Sequence, residues 1–389
     1  MPGRAPTPVP LAGPPAGLSG LDLSRWVIDV CTRGEEQGGL GFTCAGVCGA
    51  EPPPIADVDA LRGWLDRAEH GSMAYMAEQF TDRLDPQRVL AGAQSVVMVA
   101  DRYAPRAGTA DDAAAVERSD GVPRGRIARY ARGRDYHTTI KRRLHRLADA
   151  LRAAFPAEAF RSFTDTAPVL ERRFAQRAGL GWLAKNAMLI HPVHGSWLLL
   201  GGFLTTLKLP TPPDADQPLF TDHCGACTRC IDACPTGAIA RQPLEKGERA
   251  RVDATRCISY LTIEHEGVID PALAGRAQDW VFGCDICQEV CPHNSPRPSA
   301  VAGAVRADYA AKRATLPLLE MAKWERADRS LLTVSAMKRA TAEMFRRNAA
   351  VALANEWRRT SDPALRAALE ELRNDPAPLI SSTAGLALG

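Results

Sequence analysis

The amino-acid sequence predicts an α+β protein with three folded parts, and three observations support that prediction. Short runs of β-branched residues mix with helical patterns up to about residue 221. Eight of the eleven cysteines then fall within residues 224–291, and residues 301–389 show Ala- and Leu-rich helical patterns without strand patterns. With 46% hydrophobic and 24% charged residues, the chain has an ordinary globular composition, which excludes disorder over its whole length.

Residues 1–20 contain six prolines and no apolar segment of the kind that a signal peptide needs, so we expect a disordered tail. The longest apolar stretch, residues 196–207, is interrupted by Gly201 and Gly202 and is too short to span a bilayer. We therefore expect a cytoplasmic protein without membrane contact. No feature of the sequence indicates an oligomer, so a monomer is expected.

Residues 21–222 form the first predicted part. Residues 95–100 predict a buried strand, and residues 196–207 predict another, with a possible bulge at their two glycines. Between these strands, apolar residues recur at helical spacing: Ile140, Leu144, Leu147, Leu151 and Phe155. The opposite face of this predicted helix is basic and carries Lys141, Arg142, Arg143 and Arg146.

A proline-rich linker at residues 209–218 precedes the cysteine-rich part, residues 223–300. The last part, residues 301–389, contains two Ala/Leu-rich segments, residues 346–355 and 364–388, and an Asp-Pro pair interrupts the second. Two such units resemble stacked helical repeats of the HEAT type.

The cysteine-rich part begins with a specific spacing. Cys224, Cys227, Cys230 and Cys234 form a C-x₂-C-x₂-C-x₃-C-P run, which is the spacing of bacterial two-cluster ferredoxins. Two-residue gaps let one loop wrap three thiolates around an iron–sulfur cube, whereas the fourth cysteine points away towards a second cluster. Pro235 then fixes the direction of the chain.

A second run should mirror the first, but it is incomplete. Val281 stands where its first cysteine is expected, and the spare Cys257 is predicted to fill the gap. The prediction is two [4Fe–4S] clusters with crossed ligands, one held by Cys224, Cys227, Cys230 and Cys291, and the other by Cys234, Cys257, Cys284 and Cys287. Paired structural zinc sites are the alternative, although zinc sites rarely use this spacing. His223 and His293 are expected at the surface rather than as ligands.

Two clusters imply a further redox centre, and the residues alone leave its identity open. No G-x-G-x-x-G dinucleotide turn occurs. Asp135 and His137 begin a D-x-H-x-x-G cobalamin-ligating motif, but Ile140 occupies the glycine position. The remaining cysteines have no histidine nearby and are expected to be small buried side chains: Cys31, Cys44 and Cys48.

Six segments, in order along most of the chain, resemble epoxyqueuosine reductase: RYARGRDYH (129–137), FTDTAPVLERRFAQRAGLGWLAKN (163–186), HGSWLLLG (194–201), CGACTRCIDACPTGAI (224–239), RCISYLTIE (256–264) and GCDICQEVCPHN (283–294). The resemblance implies a cobalamin-dependent enzyme with two [4Fe–4S] clusters. Such enzymes reduce the epoxide of epoxyqueuosine at the tRNA wobble position and give queuosine. The resemblance also implies a corrinoid-binding domain similar in fold to flavin nitroreductases, and HEAT-like C-terminal helices.

The resemblance further implies roles for single residues. Asp165 matches the proton donor, and burial is expected to keep it protonated near neutral pH so that it can protonate the released oxygen. Asp135 is the alternative acid, although neighbouring charges should hold it ionised in an ion pair: those of Arg132, Arg134 and His137. The expected cobalamin contacts are Arg83, Asp165, Leu189, His191, Leu200 and Ser259.

A basic stretch predicts where tRNA binds. Residues 118–146 contain ten Lys or Arg and two Asp, a balance of +8, although the whole chain carries only +3. Tyr130 and Tyr136 interleave as stacking partners for bases. Further backbone contacts are expected from Arg346, Arg347, Arg358 and Arg359. An external electron donor is also required, and the sequence does not identify it.

Two alternative functions stay open at this point. A reductive dehalogenase would share a corrinoid and two clusters, but the twin-arginine export signal expected there does not occur in these residues. The basic stretch would also be unexplained by a small halogenated substrate. A non-catalytic ferredoxin-type carrier fused to an RNA-binding domain would bind iron but no corrinoid.

Overall fold

The computed structural model describes residues 11–105, 121–213, 223–239, 251–295 and 305–389. Its strands are β1 (Cys44–Gly49), β2 (Ser95–Arg102), β3 (Arg124–Ile127), β4 (Phe160–Phe163), β5 (Trp182–Leu183), β6 (Leu189–Ile190), β7 (Leu198–Thr205), β8 (Trp280–Phe282) and β9 (Thr315–Pro317). Its α-helices are α1 (Gly20–Thr32), α2 (Ile55–Asp66), α3 (Tyr75–Glu78), α4 (Phe80–Leu84), α5 (Pro86–Val89), α6 (Tyr136–Ala154), α7 (Glu171–Arg177), α8 (Arg229–Ala233), α9 (Ile258–Ile263), α10 (Pro271–Ala274), α11 (Ile286–Glu289), α12 (Leu318–Met321), α13 (Ala342–Thr360), α14 (Pro363–Arg373) and α15 (Pro378–Leu388).

The largest sheet has the strand order β1-β2-β7-β4, and neighbouring strands are antiparallel. The two predicted strands, residues 95–100 and 196–207, lie in β2 and β7, and every residue of β2 is buried because apolar side chains cover both faces. The bulge expected at Gly201 and Gly202 is wrong, since both pair with β2 in unbroken register. Glycine is required there for space: a Cβ on Gly202 would lie 2.3 Å from the Val97 carbonyl oxygen.

Helix α6 confirms the predicted helical periodicity, and its apolar stripe is buried: Ile140, Leu144, Leu147 and Leu151. Its other face is less basic than predicted, because Arg143 is only 1% exposed. Arg143 forms an ion pair with Asp101 and donates to the Leu40 carbonyl and the Tyr309 hydroxyl. A buried arginine needs such partners, so Arg143 belongs to the core rather than to the surface.

A three-stranded sheet joins the three predicted parts of the chain. Strand β3 pairs in parallel with β8 and antiparallel with β9, so each part contributes one strand. The expectation that residues 301–389 lack strands is therefore wrong for β9. One continuous cluster of buried side chains also extends from Leu23 to Ala384. The three parts consequently share this cluster, while a second cluster lies wholly within the first part, and their boundaries stay a prediction.

The C-terminal helices α13, α14 and α15 form in the two predicted Ala/Leu-rich segments and pack on one another. Arg347 is fully buried in α13 and donates to carbonyls near the end of α9, those of Leu261, His265 and Gly267. The neighbouring Asn348 donates to the carbonyls of Thr262 and Val281. Arg347 therefore binds the cysteine-rich part and cannot contact RNA as predicted.

Residues 1–10 of the expected tail and residues 214–218 of the expected linker lie outside the described residues. Leu11 and Leu18 pack against the main core, so the ordered chain includes residues that were expected in the tail. None of the described helices combines the length and apolar character needed to cross a membrane.

Candidate functional site

The first predicted group of cluster ligands comes together in the structure. Burial raises the pKa of the Cys230 thiol, and the charges of Cys291 and Cys227 raise it further, which places these three sulfurs close to one another. Cys224 and Cys291 also contact the same apolar cluster around Trp182. The fold thus brings together cysteines from both ends of the cysteine-rich part.

The second predicted group converges in the same way and includes the spare cysteine. Burial raises the pKa of Cys284, and the charges of Cys257 and Cys234 raise it further. Burial also raises the pKa of Cys287, and the charges of Cys284 and Cys257 raise it further. Backbone N–H groups, including that of Ser259, donate to the sulfur of Cys257. Cys257 therefore lies near Cys284 and Cys287, and its role as the replacement ligand stays a prediction.

These thiols are candidate ligands of iron–sulfur cubes, because zinc sites rarely use the C-x₂-C-x₂-C-x₃-C-P spacing. Two groups of four thiols, with N–H donors directed at the sulfur, supply the donor set that two cubes require.

The β5–β6 hairpin fastens the cysteine-rich part to the first part of the chain. The Trp182 ring lies edge-on between His223 and His293, 4.9 Å from each ring centroid. Lys185 donates to the Gly225 and Cys227 carbonyls, and Asn186 donates to the Cys287 carbonyl at 3.4 Å. The two histidines therefore pack against tryptophan. The sequence did not indicate the role of Lys185 and Asn186, because only the fold brings these carbonyls near them.

Asp165 lies in the loop after β4, with a left-handed φ of 59°. Phe163 and Val169 on either side are buried, but the Asp165 side chain itself is 66% exposed. Its Oδ2 accepts a hydrogen bond from the Tyr136 hydroxyl at 2.8 Å and contacts His137 Nε2 at 3.3 Å. The expectation that burial keeps Asp165 protonated is wrong, because the His137 hydrogen bond lowers the pKa of the carboxyl.

His137 lies between two carboxylates. Its Nδ1 is 2.7 Å from Asp135 Oδ1, while its Nε2 faces Asp165. A neutral imidazole can donate from only one nitrogen, so two carboxylate acceptors favour the doubly protonated ring. Partial burial lowers the pKa of His137, but the hydrogen bonds to Asp135 and Asp165 outweigh it and raise the pKa to about 9. The proton that was expected on Asp165 therefore resides on His137 at neutral pH.

Asp135 orients this histidine. Its carboxylate caps the N-terminus of α6 by accepting the His137 N–H at 3.1 Å, and it pairs with Lys338 at 2.5 Å. Burial raises its pKa, but the hydrogen bonds from His137 and Lys338 hold the pKa below its ordinary value. The predicted ionised state and the ion pair with His137 are confirmed, and Lys338 is a partner that the sequence did not indicate.

Glu171 is a second group that the sequence analysis missed. Its Oε1 accepts the Asp165 backbone N–H at 2.5 Å and so holds the left-handed turn at Asp165. Burial, and then the charge of Asp165, raises the pKa of Glu171 to about 8. At neutral pH this carboxyl is therefore mostly protonated. Glu171 was within a segment that resembles the family, but its contact depends on the loop conformation.

Several expected cobalamin contacts border the same space. Leu189 and Leu200 lie in one apolar cluster, and the Leu200 carbonyl accepts from the Thr164 hydroxyl beside Asp165. Burial lowers the pKa of Arg83, and the charge of Asp165 partly offsets this effect. Arg83 Nε is buried and has no hydrogen-bond partner among the described residues. An unused buried donor beside apolar side chains fits a large ligand with polar edges, as cobalamin is.

The remaining expected contacts lie at the edges of this space. Ser259 lies in α9 directly after Cys257, near the second group of thiols. The His191 Nδ1 accepts the backbone N–H groups of Val193 and His194, which orients its ring towards its own turn. The backbone N–H and carbonyl of His191 are paired with Gly195 in the same turn.

The basic stretch of residues 118–146 is largely internal. Arg129, Arg132 and Arg143 are buried, and Arg126 pairs with Asp279 at 2.6 Å. Tyr136 is buried beside Asp165, and the ring of Tyr130 packs against Phe282, so neither tyrosine is a free stacking platform as predicted. Arg134 and Arg142 stay exposed, and residues 118–120 lie outside the described residues.

The other predicted backbone contacts also have internal partners. Arg346 pairs with Asp375, Arg359 with Glu356, and Arg358 donates to the Ala387 carbonyl. The expectation of small buried side chains is confirmed for Cys31 and Cys48, whereas Cys44 is only partly buried. Burial raises the pKa of each of the three thiols to about 12.

The fold and the two thiol groups beside a proton-bearing histidine define an iron–sulfur oxidoreductase. Residues 223–294 match the 4Fe-4S double cluster binding domain family, and residues 83–166 match the family described as epoxyqueuosine reductase QueG. The chain is 38% identical to the epoxyqueuosine reductase of Cyclobacterium marinum, over 79% of this chain and 92% of that protein. The chain is also 38% identical to the epoxyqueuosine reductase of Xanthomonas campestris, over 90% of this chain and 92% of that protein. The chain belongs to the epoxyqueuosine reductase family.

Solved structures agree with this membership. The chain resembles a crystal structure of epoxyqueuosine reductase with an epoxyqueuosine-modified tRNA-Tyr stem loop, with a TM-score of 0.74, 27% identity and coverage of 90% of this chain and 86% of that chain. The chain also resembles a structure of Bacillus subtilis epoxyqueuosine reductase whose catalytic aspartate loop is swung out of the active site. The TM-score is 0.71 at 25% identity, with coverage of 89% of this chain and 86% of that chain. Family membership sets aside the dehalogenase and electron-carrier alternatives.

Proposed function

We propose that this protein reduces the epoxide of epoxyqueuosine at the wobble position of tRNA and so produces queuosine. The observation that carries the proposal is the hydrogen-bonded chain Asp135–His137–Asp165, in a member of the epoxyqueuosine reductase family that also matches a 4Fe-4S double cluster binding domain. The solved relative that holds an epoxyqueuosine-modified stem loop supports tRNA as the partner.

The reaction defines what the site must deliver. Converting an epoxide to an alkene takes up two electrons and two protons, and the oxygen leaves as water. Cobalamin together with two [4Fe–4S] clusters would supply the electrons when bound. The chain itself must supply the protons, and two groups hold them at neutral pH. His137 and Glu171 have pKa values raised to about 9 and about 8, and both are hydrogen-bonded to Asp165.

Asp165 is the group that reaches the substrate. Its carboxylate is two-thirds exposed, whereas His137 behind it is mostly covered. When the C–O bond breaks, the released alkoxide is a far stronger base than a carboxylate or an imidazole. Asp165 can therefore take up the proton of His137 Nε2 and pass it to that oxygen. Asp135 and Lys338 keep the ring in place during this transfer.

Cobalamin is proposed to lie against Arg83, Leu189, His191, Leu200 and Ser259, and Asp165 would face it. The unused Arg83 donor and the apolar Leu189–Leu200 cluster support this placement. The finer fold description belongs to the same proposal. It comprises a nitroreductase-like domain at residues 21–222, a ferredoxin-like module at residues 223–300 and HEAT-like helices at residues 301–389, in a cytoplasmic monomer that receives electrons from an external donor.

Mass spectrometry of tRNA nucleosides tests the function. A strain that lacks this protein and any second reductase should accumulate epoxyqueuosine in place of queuosine, and expression of the wild-type chain should restore queuosine. Asp165→Asn should keep iron and cobalamin but lose turnover, because an amide cannot deliver the proton. Persistence of queuosine in the deletion strain would refute the function. Full activity of Asp165→Asn would refute only the assignment of the acid, and Asp135→Asn would then be tested.

A further inference from the structure

An open cleft of about 320 Å³ lies between α6, β4 and the loop that follows Asp165. Three stretches of chain line it, and they bring together the side chains of Lys141, His145, Arg152, Arg161 and Ser162. No acidic residue is among the described residues that line the cleft. Asp149 lies at its edge and pairs with Arg152 at 2.7 Å, so the cations still outnumber the carboxylates.

Arg161 is the cation of this cleft that is most available to a ligand. Arg161 and His145 are exposed, and among the described residues no hydrogen bond or ion pair engages the Arg161 guanidinium. Lys141 Nζ donates to the Thr166 hydroxyl at 3.0 Å, and Arg152 donates to the Phe160 carbonyl. Convergent Lys, Arg and hydroxyl donors in an open polar cleft are the chemistry that binds a phosphate.

The position of the cleft indicates which phosphate it takes. Its floor is formed by Thr166, Ala167 and Pro168, which directly follow Asp165 in the chain. None of the residues expected to contact cobalamin lines the cleft. The cleft therefore shares no lining residue with the expected cofactor contacts, and it adjoins Asp165 through the residues that follow it. An RNA backbone that presents its base to Asp165 must pass beside this loop.

We propose that the cleft binds a phosphodiester of the tRNA backbone next to the modified nucleotide and holds the Asp165 loop in place for reaction. The proposal rests on the proposed function, because it assigns a contact of the same substrate. Lys141 connects phosphate binding with the position of the Asp165 loop, because the same side chain donates to Thr166 in the loop and lines the phosphate cleft.

The test compares two neutralised arginines in the complete protein with clusters and cobalamin. Arg161→Gln removes a cation from the cleft, whereas the control Arg142→Gln removes an exposed cation of α6 that does not line it. Fluorescence anisotropy gives the Kd of an epoxyqueuosine stem loop and of the unmodified stem loop over a series of salt concentrations. Spectroscopic titration gives cobalamin affinity.

Arg161→Gln should weaken both stem loops about equally, by roughly tenfold, and reduce the salt slope of log Kd by about one, because a phosphate contact carries no base information. Arg142→Gln should have a clearly smaller effect, and cobalamin binding should be unchanged in both variants. Equal losses in the two variants would overturn the proposal, because the cation would then act only through the general field of the protein. Loss of cobalamin affinity in Arg161→Gln would also overturn it and assign the cleft to the cofactor.

The outcomes also separate this inference from the proposed function. If the wild-type chain binds the stem loop through Arg161 but leaves epoxyqueuosine unreduced, the function fails and the phosphate site stands. If the wild-type chain reduces epoxyqueuosine and Arg161→Gln binds both stem loops normally, the phosphate site fails and the function stands.

Discussion

Replacing Asp135 by Asn should lower the pKa of His137 more than replacing Asp165 by Asn. The rise of the His137 pKa from its ordinary 6.5 to about 9 corresponds to roughly 3 kcal/mol in favour of the charged ring. Asp135 lies 2.7 Å from the ring with a side chain only 6% exposed, whereas Asp165 lies 3.3 Å away and is 66% exposed. Solvent screens the second pair, so Asp135 should account for about 2 kcal/mol of the total.

NMR titration of the histidine ring protons measures the pKa of His137 directly. The chain has eight histidines, and the spectrum of His137→Gln identifies the signal to follow. The wild-type ring should titrate near pH 9, and both Asn variants should titrate at lower pH, with Asp135→Asn the lower of the two.

The reasoning fails if wild-type His137 titrates at its ordinary pKa, or if Asp165→Asn produces the larger fall in that pKa.

The sign of the stability effect of His137 follows from its raised pKa. The contribution of His137 to the free energy of unfolding is fully present below pH 6.5 and is lost as the pH rises through about 9. The difference between the wild-type and His137→Gln stability curves should therefore shrink over that range.

Three further predictions concern single side chains. Cys257→Ser should reduce iron from about eight to about four atoms per chain in anaerobically purified protein, whereas the control Cys31→Ser should keep all of it. Glu171→Gln should lower turnover near pH 7, because Gln still accepts the Asp165 N–H but has no proton to supply, and unchanged turnover would exclude Glu171 as a proton source. The turnover rate of the wild-type protein should fall as Glu171 ionises through about pH 8, and this fall should be absent in Glu171→Gln. A fall that persists in Glu171→Gln would show that another group causes it. Arg347→Met should lower the free energy of unfolding by about 3 kcal/mol, because three carbonyls lose their donor. Thermal unfolding would measure this, and an unchanged midpoint would contradict the role of Arg347.

Local patterns predicted the secondary structure well where one physical cause dominates. The apolar stripe of α6 and the β-branched run of β2 each appear as predicted, because burial of one face or of a whole strand imposes its period on the sequence. The same reasoning failed for Gly201 and Gly202. A glycine in a strand signals either a bulge or a close neighbour, and only the position of Val97 shows which applies.

Charge was the least reliable guide to the surface. The balance of +8 over residues 118–146 suggested an RNA-binding face, yet Arg129, Arg132 and Arg143 are buried. Composition counts charges but cannot place their partners, and the partners of Arg143 include Asp101, which is distant in sequence. The cations that do converge on an open cleft include Arg161, which lies outside the stretch that the sequence singled out.

The sequence by itself indicated a double iron–sulfur cluster region, because the spacing of thiolates along a short loop directly limits what they can wrap. It also indicated the α+β class and, through resemblance, the family, whereas the eight cysteine ligands and the role of Asp165 stay predictions. Only the tertiary structure decided where the proton resides. The pKa values of Asp165 and His137 depend on a hydrogen bond between residues 28 positions apart, and the pKa values of Asp165, His137 and Glu171 also depend on how far the fold buries each group. Such long-range contacts leave no local pattern in the sequence.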